Sequence, residues 1–219
     1  MSDVIKNILP AKKKIVPLIL LPQTAFVRLS PLSFRIQATK TSEIMASTVK
    51  TLMHHADFLE QFRADIGWEY PADCNDEENR CTLFSRIEIN RQSFRAYVDG
   101  HAARNVLSLF LYPPYRVLEG KFVDTIMLFN FLNEYCQYNG RLCVDDDGQI
   151  RYKHFIDLDG IEPANAMIYS MLDCGIAMFS ENGESIAAVA LTRKTYEAIR
   201  EEYDRKRSPI TPPITPPTT

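Results

Sequence analysis

The residues from Cys143 to Gly160, CVDDDGQIRYKHFIDLDG, crowd acidic side chains and two Asp-Gly steps into one short stretch. Carboxylates so placed could hold a divalent cation, or act as acid and base beside His154. A calcium-binding loop needs oxygen ligands at its positions 1, 3 and 5, glycine at 6 and a bidentate glutamate at 12. With Gly148 as the loop glycine, Cys143 falls at the first position and His154 at the last; with Gly160, Phe155 and Ala166 fall there. Both frames lack their terminal ligands, so a calcium loop is not expected.

The flanks alternate instead. Leu142, Val144, Ile150, Tyr152, His154, Ile156 and Leu158 share one parity, and Arg141, Cys143, Asp145, Gln149, Arg151, Lys153 and Asp157 share the other. Phe155 is the one apolar intruder on the charged parity. Alternation of this kind predicts a hairpin with one buried and one charged face, turning at Asp147-Gly148 where glycine supplies a positive φ. It also separates the candidate acid–base groups, turning His154 inward and Asp145 outward. A hydrolytic site built on Asp145–Asp147 and His154 is therefore the weaker alternative, together with a metal-responsive or small-molecule sensor.

Other reactive residues carry less. His54 and His55 are neighbours on a predicted helix and diverge by about 100°, which suits surface histidines better than a metal pair. Cys74 and Cys81 flank an acidic loop, CNDEENRC, but a single Cys pair at this spacing is a weak zinc signal. His101 and His154 have no nucleophile that the sequence pairs with them. No nucleophile elbow, phosphate-binding loop or dinucleotide fingerprint occurs. The sequence thus supports no catalytic residue, no metal site and no cofactor. The five cysteines are an odd number without a CxxC pair, which argues against a secreted disulfide framework and for a reducing cytoplasm.

The elements that position these residues fall in three zones. Residues 1–41 form a basic extension, KKK at 12–14 followed by IVPLILLP. Its apolar part is short, is broken by Pro17 and lacks a cleavage site, so a disordered or loosely docked extension is expected rather than a secretion signal. Met45 offers an alternative start that would account for the change of composition near Thr41. Residues 207–219 hold the repeated ITPP, in which proline favours a disordered, extended tail. Between them, residues 42–206 are expected to form one domain. A helix capped at Thr41-Ser42-Glu43 places Ile44, Val49, Leu52, Met53, Ala56, Leu59 and Phe62 at helical spacing and stops at Gly67. A polar loop follows, then strands at 82–89, 93–100 and 105–114, with Gln92 and Gly100 near the turns. Residues 122–138 form a helix that is apolar nearly all round and so is expected to be covered on more than one side. After the 141–158 hairpin, a helix begins near Pro163 and a last one covers 194–206. This is an α+β fold: an antiparallel sheet of three strands plus a two-strand hairpin, with helices mainly on one face.

Charge and hydropathy bound the partners. Residues 1–40 carry seven Lys/Arg against one acid, so within a net charge of −3 the remainder sums to about −9. An acidic body is a poor match for a phosphate backbone, and no apolar run approaches the roughly 20 residues of a membrane span. Neither nucleic acid nor membrane is an expected partner. Protein contact is. The expected surfaces are the outer face of the sheet and the helix after Pro163, where Met167 and Met171 recur and flexible thioethers suit adaptable contacts, with Met127 and Phe131 on the apolar 122–138 helix as further contact residues.

The segment VDTIMLFNFLNEYCQYNGRLCVDDDGQIRYKHFIDLDG resembles the YbjN family of bacterial proteins, described as sensory transduction regulators. The shared features are an apolar helix with Asn130, Asn133 and Asn139 in and after its second half, a strand, the Asp147-Gly148 turn, and a strand leading to a second helix. AYVDG and LSLFLYPP upstream fit the same pattern, and the resemblance covers residues 46–192. It implies a fold similar to type III secretion chaperones, which commonly dimerise and bind extended peptide segments, and it supplies no catalytic residue. The expectation is a cytoplasmic, non-enzymatic, chaperone-like or regulatory protein-binding module, able to homodimerise.

Overall fold

The computed structural model describes the backbone of residues 31–207 and side chains from 43 to 206. The KKK cluster and the ITPP tail lie outside the described residues. The chain divides into a unit of residues 1–40 and a unit of residues 41–219, and the second holds the sheet and its core.

The element order is α1 (Pro31–Ile66), β1 (Asp73–Asn75), β2 (Arg80–Ile89), β3 (Gln92–His101), β4 (Val106–Tyr112), α2 (Phe122–Tyr135), β5 (Arg141–Val144), β6 (Ile150–Asp157), α3 (Asn165–Leu191) and α4 (Tyr196–Arg207). The strands form one six-stranded sheet in the order β1-β2-β3-β4-β6-β5, with every pair antiparallel. The α+β class is therefore the observed one. Three boundaries need correction. Helix α1 begins at Pro31 rather than near Thr41, with proline in the first turn where its missing N–H costs nothing. Helix α2 stops at Tyr135, because Gln137 adopts a left-handed φ of 55° that no helix continues through. The expected polar loop contains β1, a three-residue strand that extends the sheet by one.

Turns follow local chemistry. Asn90 and Arg91 both have positive φ, 50° and 62°, the conformation of a two-residue hairpin turn whose twist matches the strands. The turn is thus two residues before the strand start expected at 93. Gly100 lies in β3, near its end as expected, and a side chain there would meet His55 at 2.9 Å. At the other hairpin Gly148 has a φ of 76° and donates its N–H to the Asp145 carbonyl at 2.9 Å.

Alternation sorts the sheet into two faces. Leu83, Phe94, Ala96, Val98, Leu107, Leu109, Leu111 and Tyr152 point inward and are buried. Helices cover this face: α1 with Leu52, Leu59 and Phe62, and α3 with Ile168, Met171, Met178 and Phe179. Phe179 meets Phe94 at 4.8 Å between ring centroids. Helix α2 lies against β5, α3 and α4, and the Asn133 side chain accepts from Leu142 N at 2.7 Å and donates to Leu142 O at 3.1 Å. Helix α4 is tied in by Tyr203, whose hydroxyl donates to Asn182 Oδ1 at 2.6 Å.

The two glycines of α3 give a contrasting test. A Cβ on Gly175 would lie 2.6 Å from Leu111 Cδ1 and 2.9 Å from Tyr152 Cδ1, whereas one on Gly183 would meet nothing within 4 Å. Gly175→Ala should lower stability by about 1–3 kcal/mol through overpacking, and Gly183→Ala should raise it by about 0.5–1 kcal/mol through helix propensity. Urea midpoints of the two variants check the opposite signs; a shift in the same direction for both contradicts the close approach of α3 to the sheet.

Candidate binding surface

The face of the sheet turned away from the core is the most distinctive surface. Phe84, Tyr97 and Phe110 are direct cross-strand partners on β2, β3 and β4. Their side chains point outward because Leu83, Ala96, Val98, Leu109 and Leu111 beside them take the inward parity. Ring contacts extend the row in both directions. Tyr70 lies 5.7 Å from Phe84, Phe84 5.1 Å from Tyr97, Tyr97 5.6 Å from Tyr112, and Phe110 5.8 Å from Phe155. The central rings are half-buried by one another, and the outermost two are open, Tyr70 at 49% and Phe155 at 52% exposure.

Basic side chains share this face. Arg86 stands directly opposite Arg95 across β2 and β3, a like-charge pairing that costs stability when nothing neutralises it. Arg95 lies over the Tyr112 ring at 5.3 Å and donates to Gln149 Oε1 at 3.2 Å. Arg151 donates to Cys143 Sγ at 3.4 Å, and Lys153 sits 5.9 Å from the Phe155 ring. Among the described residues, none of these four cations is in an ion pair. Tyr97, Asp99, Tyr112, Arg80, Arg95 and Arg151 line a shallow depression of about 580 Å³. Asp99 is 6% exposed and its Oδ1 has no hydrogen-bond partner. Burial pushes its carboxyl above the usual carboxylate range, against the opposing pull of the Thr82 hydroxyl and the Arg80 and His101 charges.

The contact residues expected from sequence are dispersed. Met171 is fully buried, so its thioether is not a free surface, and Met167 is half-buried against the core. Met127 is 45% exposed on α2, beside Val123 and Ile126. Phe131 is half-buried in a cluster with Tyr135 and Tyr203, both at 5.2 Å, and Arg200 lies over its ring at 4.4 Å. The 122–138 helix is thus covered by β5, α3 and α4 but keeps one open apolar edge. A second such edge, Met45, Val49 and Met53, runs along α1. The outer face of the sheet is an expected surface, but the sequence does not single out the rings on β2, β3 and β4 that make it up. Their signal was there: strands with apolar residues on both parities, like Phe155 in the later hairpin.

Reactive groups do not converge. Asp145 is used in its turn, accepting from Gln149 N through Oδ1 at 2.9 Å, while His154 is buried on the inner face opposite Leu109. Among the described residues no group of three or more His, Cys, Asp or Glu side chains is placed to hold a metal ion, and no helix is long and apolar enough to cross a membrane. The reading of His54-His55 as surface residues is corrected at His55, which is 1% exposed and hydrogen-bonds Asn105 Oδ1 through Nε2 at 3.3 Å. His54 is exposed, 3.2 Å from Glu162. The cysteines are also corrected. Cys74 and Cys81, cross-strand partners on β1 and β2 with Cα atoms 4.0 Å apart, form a disulfide. The cysteine pattern therefore no longer argues for a reducing compartment, although Cys136, Cys143 and Cys174 are free.

No protein family model matches the chain, and no curated protein matches it. Among solved structures the chain is similar to one in the HopA1–SchA chaperone–effector complex, with 14% identity, a TM-score of 0.42, and coverage of 61% of this chain and 94% of that one. It is similar to a chain of the ExsC–ExsE complex, at 17% identity and a TM-score of 0.38, covering 57% and 90%. A third is the Yersinia pestis type III secretion chaperone SycH with a fragment of YscM2, at 15% identity and a TM-score of 0.34, covering 54% and 90%.

Burial pushes the His154 imidazole below its ordinary value of 6.5, and its Nδ1 has no partner. The unfolded chain takes up a proton there that the folded chain refuses. Stability is therefore full above pH 6.5 and falls as the pH drops toward the folded value. His154→Leu should flatten the decline of the urea midpoint between about pH 6.5 and 5. Equal slopes for variant and parent contradict a neutral buried His154.

Proposed function

We propose that this chain is a chaperone-like or regulatory protein-binding module that works without catalysis, and that the outer face of its sheet is the binding surface. One observation carries the reading. A continuous aromatic row crosses four strands on a face that no helix of the described residues covers, and extended apolar patches of this kind mark interaction sites. Aromatic side chains bring large contact area at low entropic cost. The resemblance to YbjN regulators belongs to the same reading. So does a homodimer, for which Val123, Ile126 and Met127 of α2 offer an apolar edge. A cytoplasmic setting is part of it as well. Met127 and Phe131 stand as secondary contact candidates beside the aromatic row, and Met167 and Met171 contribute by shaping α3 beneath the sheet. The acid–base and metal-sensor alternatives have no comparable support, because Asp145 is used in its turn and His154 is buried on the inner face.

The test is affinity capture from the source cell's lysate with the full chain and with the Phe84→Ser/Phe155→Ser variant, both checked for folding by circular dichroism. One or two near-stoichiometric partners should be retained by the parent chain and lost by the variant. Capture of the same proteins by both chains, or of none by the parent, sinks the assignment of this face.

A further inference from the structure

We propose that the outer face binds an extended acidic peptide segment, seating its carboxylates on Arg86, Arg95 and Arg151 and its apolar side chains along Tyr97, Tyr112 and Phe110. This rests on the reading of that face as the protein-binding surface and adds the chemistry of what it takes.

Charge complementarity carries the argument. Arg86 and Arg95 face each other across two strands, Arg151 lines the same depression as Arg95, and no acidic side chain pairs with any of the three among the described residues. An uncompensated arginine cluster costs the folded state some stability, and an incoming carboxylate removes that cost while making charge-assisted, bidentate bonds. Arg95 is already oriented by its stacking on Tyr112 and its bond to Gln149, so little freedom is lost on binding. The second observation is independent. Asp99 lines the same depression, more than nine-tenths buried, with an Oδ1 that nothing satisfies. A buried acceptor without a partner is costly. The backbone N–H groups of an extended segment are donors of the right kind for it, and they alternate along the segment with outward and inward side chains at the spacing of a strand.

A peptide fits better than a single-stranded nucleic acid. Binding bases needs free aromatic faces on which to stack. Here Tyr97 meets Tyr112 at an interplanar angle of 89° and Phe110 meets Phe155 at 85°, so in each of these pairs one ring turns its edge to the other and the row is not a flat stacking platform.

The measurement is fluorescence polarisation of full-length protein with three labelled probes. The first is a peptide of roughly twelve residues alternating Glu and Tyr, the length that crosses a small sheet; the second replaces Glu by Lys; the third is an oligothymidylate of similar length. The Glu–Tyr peptide should bind at least about tenfold more tightly than the other two, and its binding should weaken as salt screens the arginines. Arg95→Glu/Arg151→Glu should lose that tenfold preference while staying folded by circular dichroism. If the double variant does not fold, Arg86→Glu, at an exposed position, gives the same readout. Equal affinity for the two peptides, tighter binding of the oligothymidylate, or no binding of the Glu–Tyr peptide overturns the acidic segment. Any of these, with lysate partners still lost on Phe84→Ser/Phe155→Ser, leaves the face as a protein-binding surface of other chemistry.

Discussion

Tyr152 has no exposed surface, and the rest of the structure is arranged around getting it there. Its ring occupies space that only glycine at positions 140 and 175 leaves open. Its hydroxyl accepts the Gly140 N–H at 3.1 Å, so the phenol is satisfied in the core. Three parts of the chain meet at this one side chain: the middle of β6, the close-packed turn of α3, and the connection from α2 into β5. Full burial of so large a ring contributes roughly 2–3 kcal/mol from removed apolar area alone. It also fixes which side of the sheet the helices cover, since α3 approaches β4 and β6 most closely where Gly175 has no side chain.

Closing the inner face in this way determines what is left outside. With α1 and α3 committed to the core side, the other parity of each strand faces solvent, and there the chain places rings and arginines in adjoining positions. Aromatic rows on an exposed sheet face stabilise the strands through cross-strand pairs, so part of their role is structural. That role does not explain Arg86 opposite Arg95, or Asp99 with an unsatisfied oxygen. Both features cost the isolated protein stability, and both would be relieved by a bound segment carrying carboxylates and N–H donors. The open edges of α1 and α2 present aliphatic and methionine side chains without a row of rings across several elements, which makes them weaker candidates for a specific partner.

Much of the fold was legible in the sequence because it is encoded locally. Period-two alternation located β2 to β6 to within a few residues, the Asp147-Gly148 turn declared itself, and His154 was correctly turned inward. The losses were non-local. His55 is buried only because Gly100, far along the chain, makes room for it. Strand β1 has no alternation to detect in three polar residues, and it exists through pairing with β2 and the Cys74–Cys81 bond. Met171 looked like a contact residue because helical spacing alone does not tell a methionine that fills a core from one that meets a partner. The aromatic row was hidden for a related reason. Each strand contributes only one or two of its rings, and the row becomes continuous once registry aligns Phe84, Tyr97 and Phe110. Phe155, the apolar intruder on a charged parity, is a visible trace of it, as are the apolar residues on both parities of β2 to β4.

The central claim is that the outer sheet face is open in the free protein and covered in the bound one. Hydroxyl-radical footprinting read by mass spectrometry tests it directly, on the free protein and on the protein captured with its partner. The account predicts oxidation of Phe84, Tyr97, Phe110, Tyr112 and Phe155 in the free protein, protection of these rings in the complex, and continued oxidation of Met53 on α1. Protection of Met53 or of Met127 with the aromatic row still oxidised would place the partner on the helices and contradict it.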